Sequence, residues 1–320
     1  MKSAVRMILA TAAMIVAGAV SGQNFPNRTV TLTVGFAPGG GADTAARLIA
    51  RKLGENLGVS VVVENKAGAG GNIAAQHIAT AAPDGYTIHL TSVGPMAVAP
   101  HVMKDLSYDP KRDIAPITMG VVFPNVLVVY SGVPAKTLAE FVALAKQKPG
   151  KLTYGSSGVG GAGHLAGELF KERAGIDVIH VPYKGGGPAM VALLAGETNL
   201  GAQSPGVSSP HIKSGKIRVL GSWAGTRTAA LPDVPTMKEQ GFDVEFYIWA
   251  GVFAPAGLPS DVAERIRTAV RQGVQDPEFK SAMAGINTPI NFLEGAEFER
   301  FLDTDTRRLA AVVQKMGKTE

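Results

Sequence analysis

The chain has 320 residues, which is long enough for two domains that each bury a hydrophobic core. Its formal net charge is +5, and its lysines and arginines form no run long enough to indicate a nucleic-acid-binding face. It contains no cysteine, which excludes a disulfide framework and a lipidated cysteine leader.

Residues 1–22 are predicted to be a secretory signal peptide. Lys2 and Arg6 give a positive start, and the mostly apolar stretch 7–20 follows without a charge. A membrane anchor is the alternative, but a spanning helix needs about 20 apolar residues and this stretch is shorter. Small residues around Ser21 predict cleavage near residues 21–23, so the mature protein is expected to be exported.

Strands and helices alternate after this leader. A β-branched strand at 30–37 precedes an amphipathic helix at 43–57, and a strand at 61–64 precedes a helix at 73–81 and a strand at 88–92. Such alternation is typical of parallel sheets with right-handed crossovers.

A second unit of the same plan begins at residue 152 and ends near residue 221. Strand-like segments at 117–131 and 244–254 flank it, and we expect them to cross between two domains and to form a hinge. The predicted organisation is domain 1 over 23–120, domain 2 with the hinge crossings over 121–250, and the completion of domain 1 with C-terminal helices over 251–320.

Four glycine-rich loops, at 38–41, 67–71, 158–163 and 184–187, each join a strand to a helix. Free backbone N–H groups and the helix dipole favour negative charge at such places. Two units that face each other would therefore form a cleft with anion-binding edges on both sides.

Catalytic and nucleotide-binding patterns are weak. Gly158-x-Gly160-x-x-Gly163 matches the dinucleotide fingerprint, but Asp177 precedes the second strand instead of following it, so a nucleotide-dependent enzyme is only the alternative. Ser156 and Ser157 lack a nucleophile-elbow context, and the scattered histidines have no metal-ligand spacing. We therefore predict no catalytic residue, no metal site and no cofactor.

Some polar residues have two interpretations. Asp43 is predicted to cap its helix, and contact with a ligand is the alternative. Tyr183 and Lys184 are either solvated loop residues or a wall and a charge for a carboxylate. His164 begins the helix after the loop of the second unit, so we retain it as a candidate.

Several ordered motifs resemble those of the Bug-type periplasmic solute-binding proteins of the tripartite tricarboxylate transporter family. The resemblance covers nearly the whole mature chain. The motifs are Phe36-Ala-Pro-Gly-Gly-Gly-Ala-Asp43 with Ala46-Arg47, Val63-Glu-Asn-Lys-Ala-Gly-Ala-Gly-Gly71, Pro83-Asp-Gly-Tyr86, Tyr108-Asp-Pro110, Ile114-Ala-Pro-Ile117, Tyr154-Gly-Ser-Ser-Gly158, Val181-Pro-Tyr-Lys-Gly185 and Leu231-Pro-Asp-Val-Pro-Thr236.

The resemblance implies a two-domain α/β periplasmic binding protein fold, with mostly parallel sheets flanked by helices and a ligand cleft between the domains. It implies a monomeric periplasmic protein that captures a small carboxylate and delivers it to membrane permease subunits; a ligand sensor without transport is a further alternative. The backbone of the loops at 39–41 and 156–158 would hold one carboxylate, with bridging waters. The candidate ligand-binding residues are Phe36, Pro38, Gly39, Gly40, Gly41, Asp43, Ser92, Ser156, Ser157, Gly158, His164, Tyr183, Lys184, Gln203 and Ser204.

Gln203 departs from the family pattern, in which an aspartate often follows the third strand of the second domain. The absence of that carboxylate disfavours a ligand whose amino group faces it. Because an amide both donates and accepts hydrogen bonds, a hydroxyl, an amide or a second carboxylate is better accommodated.

Overall fold

The computed structural model describes residues 25–228 and 231–316, so the predicted signal peptide lies outside the described residues. The strands of this part are β1 (Val30–Val34), β2 (Val61–Asn65), β3 (Thr87–Ser92), β4 (Ile114–Pro124), β5 (Val126–Tyr130), β6 (Leu152–Ser156), β7 (Val178–Pro182), β8 (Leu200–Gln203), β9 (Ile217–Ser222), β10 (Tyr247–Pro255) and β11 (Ile290–Glu294).

The α-helices lie between these strands and after them. They are α1 (Gly41–Leu57), α2 (Asn72–Ala79), α3 (Ala99–Val102), α4 (Pro110–Asp113), α5 (Leu138–Gln147), α6 (Ala162–Ala174), α7 (Gly186–Ala195), α8 (Pro205–Lys213), α9 (Ser260–Gln275), α10 (Pro277–Gly285) and α11 (Gly295–Met316). None of the helices within the described ranges is both long and apolar enough to cross a membrane.

The strands form two sheets, with orders β11-β4-β10-β3-β1-β2 and β7-β6-β8-β5-β9. The predicted α/β fold is confirmed, and both sheets are mixed: most strands run in one direction, with β10 and β11 reversed in the first sheet and β5 in the second. Only β1 with β2 and β3, and β6 with β7 and β8, pair in parallel. The sheets are mixed because the strands that carry the chain between them, β4, β5 and β10, run antiparallel to their neighbours.

The chain passes between the sheets twice. Asn125 alone separates β4 in the first sheet from β5 in the second, and residues 223–246 lead from β9 back to β10. Both passages overlap the segments expected to cross. The domain limits at residues 120 and 250, and the hinge itself, stay predictions.

Apolar periodicity builds the core of the first sheet. Ile49 and Leu53 on α1 pack with Ile266 and Val270 on α9 and with Leu32 on β1, and all five side chains are buried. Helix α1 ends at Gly58, whose φ of 75° is the left-handed conformation that glycine adopts without a steric penalty. Because α1 follows β1 in the chain, its start lies at the carboxyl end of β1, and it faces the second sheet.

Candidate ligand-binding cleft

A cavity of about 80 Å³ lies between the two sheets. Its wall is formed by both sheets and their loops, together with the strands that connect the sheets. The lining residues are Phe36, Gly40, Gly41, Ala42, Ser92, Phe123, Asn125, Ser157, Ala162, Gly163, Gly186, Ala202, Gln203, Ser204 and Ile248.

Four helices begin at this wall. Gly41 is the first residue of α1, Ala162 of α6 and Gly186 of α7, while Ser204 immediately precedes α8. A helix start presents N–H groups without intrahelical partners and carries about half a positive charge. The convergence of four such ends favours a bound anion.

The cavity wall also contains two buried amide groups. Asn125 is 3% exposed and Gln203 is 4% exposed, and neither Asn125 Nδ2 nor Gln203 Nε2 has a hydrogen-bond partner. No lining residue carries a charged side chain. Buried donors are normally paired, so these two are available to a ligand acceptor.

The loops on either side of the cavity touch each other. The Ala37 N–H donates to the Lys184 carbonyl oxygen over 2.8 Å, which joins the loop after β1 to the loop after β7. A Cβ atom added to Gly187 would lie 2.6 Å from the Pro38 carbonyl oxygen. A Cβ atom cannot lie this close to an oxygen atom unless the backbone moves. The two loops therefore touch only because Gly187 has no side chain.

Asp43 stabilises the α1 loop from inside the helix and is not its N-cap. Gly40 occupies that position, with a φ of −87°. The Asp43 carboxylate accepts hydrogen bonds from the Gly39 N–H, from Arg47 and from Asn65, at 2.8–3.1 Å. Burial opposes ionisation, but these hydrogen bonds outweigh it and hold the pKa of Asp43 below its usual value. Asp43 does not line the cavity, and its contact with a ligand stays a prediction.

Ser156 lies behind the wall, whereas Ser157 lines it. Ser156 Oγ accepts the Gly158 N–H at 3.1 Å and lies 2.6 Å from His180 Nε2. The His180 ring stacks on His164, with centroids 4.3 Å apart. Burial, reinforced by the neighbouring His164, lowers the pKa of His180 to about 4, and burial also lowers the pKa of His164.

The other candidate residues lie near the cavity but do not line it. Pro38 and Gly39 are exposed in the loop before α1. A Cβ atom on Gly158 would collide with Gly70 of the opposite loop. The Tyr183 N–H donates to the Ser156 carbonyl oxygen over 3.0 Å, and burial raises the pKa of the Tyr183 hydroxyl.

The cavity brings together seven of the candidates predicted from sequence: Phe36, Gly40, Gly41, Ser92, Ser157, Gln203 and Ser204. The lining residues that the sequence analysis missed are Ala42, Phe123, Asn125, Ala162, Gly163, Gly186, Ala202 and Ile248. Ala162, Gly163 and Gly186 lie in two of the glycine-rich loops described above, and Asn125 follows Pro124 inside the segment expected to cross. Within residues 25–228 and 231–316, no three His, Asp or Glu residues are placed to hold a metal ion.

Two sheets joined by two passages around an anion-favouring cavity define a two-domain solute-binding protein. The model of the family described as the tripartite tricarboxylate transporter family receptor matches residues 45–318, and the chain belongs to that family.

Solved structures agree with this membership. The periplasmic binding protein BugD is 32% identical, with a TM-score of 0.88 over 92% of this chain and 99% of its own. Rpa4515 of R. palustris with adipate is 33% identical, with the same TM-score and the same coverage. MatC of Rhodopseudomonas palustris with bound malate is 29% identical, with a TM-score of 0.85 over 90% of this chain and 100% of its own.

Proposed function

We propose that this chain is an extracytoplasmic receptor that captures a small carboxylate between its two domains and delivers it to a membrane permease. The observation that carries the proposal is the cavity wall, where four helix starts and two unpartnered amides meet without a charged side chain. Backbone N–H groups and amides are the donors that a carboxylate accepts from.

The comparisons support the ligand class, because adipate and malate are bound in two related structures. They also support a periplasmic location and permease subunits as partners, since the family serves tripartite transporters. The chain then acts as a monomer after its signal peptide is removed. Closure of the two domains would bury the acid, as in other binding proteins that close around a hinge.

Reversible binding needs no nucleophile, and we propose that the chain is not an enzyme. The glycine-rich loop at 158–163 is the basis of the nucleotide alternative. A Cβ on Gly70 would lie 2.7 Å from both Gly161 N and the Val159 carbonyl oxygen, so the opposite loop packs directly against this one. That contact leaves little room for a pyrophosphate beside Gly161.

Thermal denaturation of the mature protein with a panel of carboxylates, and separately with NAD, NADP and ATP, tests this function. A ligand that binds only the native state adds about 2.7 kcal/mol of stability at one hundred times its dissociation constant. We expect the midpoint to rise with at least one acid and with no nucleotide. A rise with a nucleotide and with no acid would overturn the proposal.

Transport is tested separately from binding. Deletion of the gene should abolish uptake of the acid that stabilises the purified protein, and re-expression should restore it. If uptake of that acid persists while binding is lost from periplasmic extracts, the transport role is wrong for that acid.

A further inference from the structure

Asn125 and Gln203 stand out among the buried polar groups because both line the cavity and both have an unpartnered amide nitrogen. Asn125 precedes β5, and Gln203 ends the neighbouring strand β8. Gln203 pairs with Val126 in the antiparallel β5–β8 register, and Asn125 directly precedes Val126. The fold therefore places two primary amides at the same end of the second sheet, where both line the cavity.

The amide oxygen of Gln203 has surroundings different from those of its nitrogen. A Cβ atom on Gly186 would lie 3.5 Å from Gln203 Oε1, so this oxygen lies next to the N-terminus of α7. The amide nitrogen remains the free group. Together with Asn125 Nδ2, it provides donors and no negative charge.

The absence of an acid in the wall has a consequence for ligand choice. An ammonium group that enters the cavity would find neither aspartate nor glutamate among the lining residues, and it would face helix starts and amide donors. A desolvated cation without a partner is strongly disfavoured. Acceptor oxygen atoms of a ligand that reach the two amides would satisfy them.

We propose that Asn125 and Gln203 determine specificity, by donating to oxygen atoms of the ligand beyond the carboxylate held at the helix starts. The cognate ligand is then a short dicarboxylate without an amino group. This inference rests on the proposed function and adds to it the residues that discriminate between acids.

Asn125 also connects recognition to the passage between the sheets. It is the single residue between β4 and β5, and its carbonyl oxygen accepts the Trp223 N–H from the return passage over 2.9 Å. A ligand bonded to its side chain would contact the segment about which the domains are expected to move. No other lining residue among those described separates two strands of different sheets in this way.

Isothermal titration with matched acids tests the proposal. The dicarboxylates are succinate, glutarate and adipate. Butyrate, valerate and hexanoate lack the second carboxylate, and aspartate, glutamate and 2-aminoadipate add an amino group. For the length that binds, wild type should prefer the dicarboxylate over the other two classes by about tenfold or more, as expected for hydrogen bonds to a charged group.

Asn125→Leu and Gln203→Met replace each amide with an apolar side chain of similar volume and thereby remove its hydrogen-bond donor. Each should weaken dicarboxylate binding by about tenfold to hundredfold and leave monocarboxylate binding nearly unchanged. Gln203→Glu keeps the shape if an apolar variant fails to fold, and it should shift the preference towards the amino acid. Gln272→Glu on the exposed face of α9 is the control for added charge and should alter no affinity.

The outcomes separate the two proposals. If wild type binds none of these acids and no other carboxylate, the proposed function fails. If wild type binds a dicarboxylate but its preference over the monocarboxylate is absent, or is the same in folded Asn125 and Gln203 variants, then the specificity assignment fails while the receptor function stands.

Discussion

The backbone N–H of Trp223 donates to the Asn125 carbonyl oxygen over 2.9 Å, and this bond joins the two passages between the sheets. The Trp223 carbonyl oxygen in turn accepts the Phe246 N–H over 2.8 Å, just before β10. Trp249 is positioned differently, since its Nε1 donates to Asp305 over 2.8 Å inside a fully buried aromatic cluster. Trp249 therefore does not face the cleft.

Trp223 should be the fluorescence reporter of ligand binding. Its indole is fully buried with Nε1 unpartnered, so movement at Asn125 changes its surroundings directly. Titration with a bound acid should change the emission of wild type and of Trp249→Phe, and leave that of Trp223→Phe constant. A ligand response that survives in folded Trp223→Phe would contradict this prediction.

Gly187→Ala should impair closure without destabilising the fold. The added methyl would lie 2.6 Å from the Pro38 carbonyl oxygen on the opposite side of the cleft, whereas its own backbone has no positive φ. Scattering with saturating ligand should give a larger radius of gyration than wild type, and titration should give weaker binding. Gly285→Ala, whose Cβ would meet nothing within 4 Å, is the matched control. Equal compaction in Gly187→Ala and wild type would show that this contact does not limit closure.

The sequence predicted much of the cavity because strand–loop–helix patterns are local. Gly40, Ser157 and Gln203 all line it, each near the end of a strand predicted from apolar patterning. Phe123 and Ile248 were missed because they come from crossing strands whose pairing depends on tertiary structure. Apolar periodicity carries no strand direction, which is also why the antiparallel pairing of β4, β5 and β10 was not predicted.

Ser157→Ala should reduce affinity more than Ser156→Ala does. Ser157 lines the cavity, and loss of one hydrogen bond to a charged ligand costs about 1.5–3 kcal/mol, or about tenfold to hundredfold in affinity. Ser156 is 1% exposed and supports His180 and the Gly158 N–H, so its removal should instead lower the free energy of unfolding by about 1–3 kcal/mol. Titration and urea denaturation of both variants give the comparison; the reverse order would place Ser156 at the ligand.

Asp43→Asn should destabilise the protein, although asparagine is a good helix cap. Each Asp43 oxygen accepts two hydrogen bonds, one pair from Gly39 and Arg47 and the other from Arg47 and Asn65. In either orientation an amide nitrogen would face two donors, and the lost bonds cost about 1–3 kcal/mol. Urea denaturation should show this loss.

Asp109→Asn is the matched control for that variant. Asp109 Oδ1 alone accepts the Lys111 and Arg112 N–H groups as an N-cap, which an asparagine oxygen can also do. Its free energy of unfolding should stay within about 0.5 kcal/mol of wild type. Asp43→Asn with wild-type stability and much weaker ligand binding would make Asp43 a ligand contact.

The free energy of unfolding should fall as the pH is lowered from about 6.5 to about 4, because buried histidines must be protonated. His89 on β3 is fully buried, its Nδ1 lies 3.0 Å from the Thr33 carbonyl oxygen, and its Nε2 has no partner. Burial lowers the pKa of His89 to about 4. The unfolded chain therefore binds the proton first, and the stability that neutral His89 retains at pH 7 is lost through this window, by about 3 kcal/mol in full.

His89→Asn removes this titration while it keeps an amide donor close to Thr33. At neutral pH the variant should be less stable than wild type, because the imidazole packing is lost. From pH 6.5 to about pH 4 its unfolding free energy should fall less steeply than that of wild type, by up to one proton per molecule, so the gap between the two curves narrows. The lowered pKa values of His164 and His180 act in the same direction, so both proteins retain some acid sensitivity. Urea denaturation at half-unit pH steps measures both curves, and parallel curves from pH 7 to pH 4 would show that His89 is not the group that titrates.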